Sequence, residues 1–217
     1  YFESGAAPCV FELKGLRVGL NICADVWEPG PAELARAAGA QLLLSLNASP
    51  YHMHKQAQRI QVLRDRVRET GLPVLYCNMV GGQDELVFDG GSFALDRDGR
   101  LGYQATSFEE RVDILSFDGG RWTSEVRAAP RVLEAEVYEA LKTGVRDYLG
   151  KNRFPGAIIG LSGGIDSALT LAVAVDALGA DKVRAVMMPS PYTAQMSLDD
   201  SREMVRRLGV RYDEIPI

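Results

Sequence analysis

The chain has 217 residues, 47% hydrophobic and 24% charged, a balance that supports a globular protein with a buried core and excludes disordered, collagen-like or low-complexity chains. Lys and Arg total 24 against 29 Asp and Glu, so the net charge is −5 and the pI near 5.2, a poor basis for a general nucleic-acid binder, and no nucleic-acid partner is expected. Apolar runs such as 168–175 are too short to cross a bilayer and no charged, then apolar leader opens the chain, so neither a membrane partner nor secretion is expected.

Residues 9–13 read as a strand, Lys14-Gly15 as a turn, and 16–23 as a second strand, apolar at Leu16, Val18, Leu20 and Ile22. A short helix fits 32–38, ended by Gly39, and 42–46 is a buried strand. Residues 54–70 form the next helix, with Ile60, Leu63 and Val67 on one face and Gly71-Leu72-Pro73 closing it. Residues 74–80 return as a strand. Beyond Val80, glycine pairs punctuate short alternating runs at 93–96 and 101–105 that read as antiparallel strands. This pattern ends near Gly119-Gly120, and 121–130 is polar and irregular, with Pro130 a helix start. The domain boundary is placed there, giving domains 1–125 and 126–217.

The second part opens with a helix over 131–152, in which Leu133, Val137, Leu141, Val145 and Leu149 recur at helical spacing. Strand 157–161, helix 167–178, strand 183–188, helix 198–208 and a strand beginning at Val210 follow. That alternation predicts a parallel sheet with right-handed crossovers. A sheet of two strands and part of a third leaves apolar faces uncovered, so this half is expected to be part of a larger domain.

Gly160-Leu161-Ser162-Gly163-Gly164-Ile165-Asp166-Ser167-Ala168 lies between an apolar strand and an apolar helix. Glycines there let a phosphate approach backbone N–H groups at a helix N-terminus, and the Ser162 and Ser167 hydroxyls can add donors. Asp166 repels a bare phosphate, a conflict that a magnesium ion between them removes. No Lys follows the glycines, so this is not the GxxxxGK[ST] loop. Two serines, two glycines and an aspartate in one tight turn favour nucleotide binding over a merely capped strand-to-helix turn. The run resembles the SGGxDS pyrophosphate loop of the N-type ATP pyrophosphatases, which cleave ATP to AMP and pyrophosphate while adenylating a carboxylate or carbonyl oxygen. Residues 160–179 followed by 186–193 look most like NAD synthetase. The resemblance implies ATP contacts at Gly160 to Ser167, Mg²⁺ at Asp166, the adenine near the backbone of Met188, whose side chain is expected in the core, and a closing loop over 192–197.

Cys23 ends an apolar strand in Gly19-Leu20-Asn21-Ile22-Cys23-Ala24-Asp25-Val26-Trp27-Glu28-Pro29. A thiol at a sharp strand-to-helix turn is held exposed, beside N–H groups suited to an oxyanion. Cys9 and Cys77, each within an alternating strand, are expected to be buried, and all three thiols free in a reducing cytoplasm. The Cys23 context, with residues 35–55 and 71–99, resembles the nitrilase family over about 11–114. A nitrilase-like module directly before an NAD synthetase loop is the arrangement of glutamine-dependent NAD synthetases. The resemblance implies an α/β protein: part of a nitrilase-like αββα sandwich, then part of a parallel-sheet adenine-nucleotide hydrolase-like domain. It implies that Cys23 attacks the amide of glutamine, that Ser49 and Lys55 hold the substrate's amino-acid end, and that the ammonia released aminates adenylated deamido-NAD. Ala24 departs from the family, which commonly has an acidic residue there. His52 and His54 read as loop residues, and Trp27 and Phe88 as pocket wall or core.

Nitrilase-type catalysis also uses a Glu base and a Lys ahead of the cysteine. Only 22 residues precede Cys23, and among them Glu3, Glu12 and Lys14 are not assigned these roles, so both partners, like the deamido-NAD site, are expected outside this chain. By itself the segment is then expected to turn over neither glutamine nor deamido-NAD, and the intact enzyme is expected to be a homo-oligomer. The alternatives left open are another glutamine-dependent adenylating amidotransferase and a catalytically silent nucleotide-binding module.

Overall fold

The structure, a computed structural model, describes residues 5, 7–123, 128, 129 and 131–217, and Pro130 and Glu3 lie outside them. Two compact units divide the chain, 1–81 with 88–133 and 82–87 with 134–217.

The first unit contains strands β1 (Cys9–Leu13) and β2 (Leu16–Ile22), helix α1 (Pro31–Ala37), β3 (Leu42–Asn47), helix α2 (Lys55–Thr70) and β4 (Val74–Asn78). The chain leaves the sheet there, and β5 (Val80–Gln83) pairs with β6 (Leu86–Asp89), so the expected strand 74–80 is two strands. Then come β7 (Phe93–Leu95), β8 (Leu101–Gln104) and the two-residue pair β9 (Phe117–Asp118) and β10 (Arg121–Trp122). The main sheet runs β1-β2-β3-β4-β7-β8. β2, β3 and β4 are parallel, in the register Ile22, Leu46, Cys77 across their carboxyl ends, and β1 and β7 are antiparallel to their neighbours.

Both sheet faces are apolar. One packs Leu43, Tyr76, Phe93 and Leu95 under Ala32, Ala35, Leu63 and Val67 of the helices; the other gathers Val18, Leu42, Ala94, Tyr103 and Trp122. Covering on both sides explains why β3 reads Leu-Leu-Leu rather than alternating. Gly19 is required by close packing: a Cβ there would stand 3.0 Å from both the Ala35 Cβ and the Leu43 Cδ2.

The second unit contains α3 (Leu133–Lys151), β11 (Ala157–Gly160), α4 (Ile165–Leu178), β12 (Val183–Met187), α5 (Gln195–Leu208) and β13 (Arg211–Glu214). Its sheet is β11-β12-β13, parallel throughout, as the alternation predicts. Leu161, Leu171, Ala174, Val183, Ala185 and Val205 form its core. Along α3 the residues at four-residue spacing are half-buried except Leu141, and the fully buried positions lie beside them. Ala140 and Thr143 are buried, whereas Leu141 is exposed. A strict four-residue spacing advances about 40° around the helix at each step, so five such positions spread over about 160°, wider than a narrow buried stripe. Among the described residues, no helix is long and apolar enough to cross a membrane.

Candidate active site

Cys23 stands directly after β2 with φ +44°, the left-handed region, and opens a single helical turn, Cys23–Val26. Positive φ at a non-glycine residue costs about 1–3 kcal/mol and persists where the surroundings over-determine it. Here the Ile22 N–H donates to Asp25 Oδ2 at 2.8 Å, the Trp27 N–H donates to the Ala24 carbonyl at 3.0 Å, and Val26 is fully buried beneath the turn. The thiol is free and half-buried. Asp25→Ala removes the side-chain tie, worth about 1 kcal/mol. It is expected to slow glutamine-supported turnover of the full-length protein about fivefold, measured as the initial rate at saturating glutamine.

Glu12 pairs with Arg17 in the β1–β2 ladder, six residues before Cys23 and hence about 20 Å along the strand. Neither it nor Lys14 in the following turn reaches the thiol.

Ser49 follows β3 and is buried. Its N–H donates to Asn78 Oδ1 at 2.9 Å, its carbonyl accepts from Arg59 Nη2 at 2.8 Å, and its hydroxyl oxygen accepts from Arg59 Nε at 3.1 Å. Lys55 begins α2, and its Nζ lies 4.0 Å from the ring centroid of Trp27, four residues past the cysteine. A cation over an indole face is attractive, so the side chain is held on the ring rather than left free in solvent. Tyr76 is buried and stacked on Phe93, with centroids 4.8 Å apart. Burial pushes its phenol up, the Arg59 charge and the neighbouring Ser49 hydroxyl work against that, and the charge of a Cys23 thiolate would push it up further. Cys23, Ser49 and Asn78 thus gather at the carboxyl ends of three parallel strands, where open α/β sheets bind ligands. His52 and His54 are exposed loop residues and Phe88 is buried. Cys9 and Cys77, expected in the core, are exposed. β1 is an edge strand, and in β4 Cys77 shares the parity of Leu75, which packs on the second face, but lies nearer the carboxyl end of the strand and is left uncovered there.

Sequence reasoning missed Arg59, Tyr76, Asn78 and Asp89. Arg59 was legible in part: it shares a helical face with Leu63, Arg66, Val67 and Thr70, all buried.

In the second unit, β11 ends at Gly160, and the Leu161 N–H donates to the Val186 carbonyl at 2.8 Å. Leu161 is 3% exposed, so its side chain belongs to the core and its amide is already engaged. Ser162 and Ser167, expected as phosphate donors, bind each other instead. Ser167 Oγ donates to the Gly164 carbonyl at 2.9 Å and accepts from the Ser162 N–H at 3.1 Å. Ser162 Oγ, 2.9 Å from Ser167 Oγ, must therefore donate that bond, while it accepts from the Gly164 N–H at 3.2 Å. Both hydroxyl protons serve the turn, so an anion has to be met by backbone. Gly163 has φ +80°, and a Cβ there would fall 2.5 Å from the Ser197 carbonyl oxygen. Gly164 caps α4 at its N-terminus, where the first-turn N–H groups, those of Ile165, Asp166 and Ser167, have no intrahelical acceptors.

A cleft of about 320 Å³ adjoins the loop, lined among others by Gly163, Gly164, Ile165, Asp200, Ser201 and Met204. Met188, expected in the core, is 54% exposed. β12 buries Val183, Ala185 and Met187, so residue 188 falls on the other parity. The register sets Gly160 beside Val186 and Met187 beside Glu214, so the loop and Met188 lie at neighbouring carboxyl strand ends. The expected closing loop is shorter than read, because α5 already starts at Gln195. Asp166 is exposed at the head of α4. One such carboxylate suits Mg²⁺, which takes one or two protein carboxylates and completes its shell with phosphate oxygens and water. Among the described residues no group of three or more His, Cys, Asp or Glu side chains could hold a metal ion alone.

Residues 1–124 match the carbon–nitrogen hydrolase family model and residues 137–217 the NAD synthase model. The glutamine-dependent NAD(+) synthetase of Acinetobacter baylyi is 44% identical over 214 residues, which is 98% of this chain and 40% of that protein. That of Rhodobacter capsulatus is 45% identical over 221 residues, 100% of this chain and 40% of its own. The solved glutamine-dependent NAD+ synthetase of Acinetobacter baumannii, in complex with ADP, superposes with a TM-score of 0.94 at 43% identity, over all of this chain and 42% of its own. The chain therefore spans about 40% of the length of these curated relatives. The expected family resemblance and fold class, a nitrilase-like domain followed by an NAD synthase domain, are borne out along the whole chain.

Proposed function

This chain belongs to the carbon–nitrogen hydrolase family, and we propose that with its NAD synthase segment it forms part of a glutamine-dependent NAD synthetase. Residues 1–125 are the glutaminase portion and 126–217 the ATP-using portion. The observation that carries the reading is the pairing, in one chain, of a left-handed cysteine at the end of a parallel strand with a glycine–serine loop heading a helix after another.

Cys23 Sγ attacks the side-chain carbonyl carbon of glutamine. The C–N bond breaks, ammonia leaves, and a γ-glutamyl thioester remains; water then releases glutamate and restores the thiol. Asp25 and the turn hold Sγ at the strand end, while Ser49 and Lys55 hold the amino-acid end of the substrate. The family's Glu base and Lys are supplied from outside this segment. At the second site, the backbone N–H groups of Ile165, Asp166 and Ser167 at the head of α4 receive the phosphates of ATP, with Gly160 and Leu161 setting the strand end that carries the turn, Gly163 and Gly164 shaping it, and Met188 beside the adenine. A carboxylate of deamido-NAD displaces pyrophosphate to form an acyl adenylate, and ammonia displaces AMP from it. Asp166 would hold Mg²⁺, which when bound offsets charge on the departing pyrophosphate. The ADP bound by the Acinetobacter baumannii relative supports adenine-nucleotide use here. The enzyme is cytoplasmic, consistent with three free thiols, and assembles from several copies of itself.

Pyrophosphate release by the full-length protein tests the acceptor. Release from ATP is expected with deamido-NAD and not with other carboxylates; equal release with an unrelated carboxylic acid would favour another adenylating amidotransferase.

A further inference from the structure

Arg59 is the largest fully buried side chain of the described residues. Its guanidinium makes five hydrogen bonds: Nε to Ser49 Oγ at 3.1 Å, Nη1 to Gln56 Oε1 at 3.2 Å and to Asp89 Oδ2 at 2.8 Å, and Nη2 to the Ser49 and Pro50 carbonyls at 2.8 and 3.0 Å. A guanidinium has five N–H donors, so every one is engaged. The group cannot also bind substrate, and any effect it has on substrate passes through its partners. Asp89, equally buried, balances its charge, which an unpaired buried cation would not tolerate.

Ser49 is the partner that matters. Its backbone N–H and carbonyl are both taken, by Asn78 and Arg59. The Nε–H occupies one lone pair of Oγ and repels a hydroxyl proton pointed at it, so the Ser49 O–H turns away from Arg59, to the side where the Tyr76 phenol and an incoming substrate are the acceptors it can meet. Lys55, held on Trp27, adds a positive charge beside the cysteine turn. A directed O–H donor and a cation together favour an anionic acceptor over a neutral amide.

We propose that Arg59 is a positioning residue that fixes Ser49 as a hydrogen-bond donor to the substrate's carboxylate, so that the glutaminase site selects glutamine by its amino-acid end. The assignment rests on the glutaminase reading of Cys23. The test is a double-mutant cycle in the full-length protein, following NAD formation against glutamine concentration. Arg59→Lys keeps a charge and loses the five-bond fork. It is expected to raise the KM for glutamine about tenfold or more, with a smaller change in kcat and no change in the ammonia-supported rate. Ser49→Ala is expected to act alike, and Arg59→Lys added to Ser49→Ala to cost less than about twofold more. An unchanged KM in Arg59→Lys, or penalties that multiply across the cycle, would overturn the assignment. If Arg59→Lys does not yield folded protein, Asp89→Asn replaces it: it loosens the same guanidinium, and its effect on KM is likewise expected to vanish in the Ser49→Ala background. Glutamine-supported activity that survives Cys23→Ala would instead refute the glutaminase reading, which separates the two failures.

Discussion

Cys23→Ala in the full-length protein is expected to lower glutamine-supported NAD formation at least about a thousandfold and to leave ammonia-supported formation within about twofold of the parent. The size of the first effect follows from the chemistry. Without a thiolate no thioester forms, and direct attack of water on an unactivated amide is far slower. The second expectation follows from the fold. Cys23 sits on a tight turn whose backbone is fixed by Asp25, Ala24 and buried Val26, so loss of one sulfur leaves its surroundings in place. The ATP loop lies in the other compact unit, with its own sheet and core. Loss of both activities would contradict this division of labour.

Gly163→Ala is expected to abolish activity with either nitrogen source, by about a hundredfold or more. The residue has φ +80°, which costs an L-residue about 1 kcal/mol or more. The larger penalty is steric. The new methyl would fall 2.5 Å from the Ser197 carbonyl oxygen, a backbone atom in the first turn of α5 that cannot rotate aside. Either α5 shifts or the loop does, and a moved loop no longer presents the α4 amides to a phosphate. The measurement is ATP-dependent pyrophosphate release with ammonia, with alkylation of Cys23 followed alongside. Unchanged alkylation with lost release places the damage at the loop; intact release would show that ATP's phosphates rest elsewhere.

Much of this architecture was legible because it is local. The apolar parity of Leu16 to Ile22, the Gly71 helix stop and the strand–loop–helix around Gly163 each depend on neighbours in sequence. The misreadings are non-local or concern parity. Cys77 was expected inside, but it stands at the carboxyl end of β4, past Leu75, on the side opposite Tyr76 and Asn78, where it is exposed. Met188 yields the core to Met187, which has the buried parity. In α3 the four-residue spacing drifts about 40° at each step, and the fully buried Ala140 and Thr143 fall beside that row rather than on it. Arg59 was passed over because an arginine on a helix ordinarily reads as solvated. Its burial depends on Asp89, thirty residues away, and on carbonyls of a turn that only the folded sheet places before it. At the ATP loop the residue types were read from the sequence, but the mutual engagement of the two serine hydroxyls emerges only from coordinates.

The most direct measurement follows nitrogen itself. The full-length protein is given ATP, deamido-NAD and glutamine labelled with ¹⁵N at the side-chain amide, in the presence of unlabelled ammonium at a concentration too low to support turnover by itself. The NAD formed is predicted to carry the label, and Cys23→Ala to form none. Unlabelled NAD from the parent enzyme, or labelled NAD from Cys23→Ala, would contradict a cysteine that frees ammonia for an ATP-activated carboxylate.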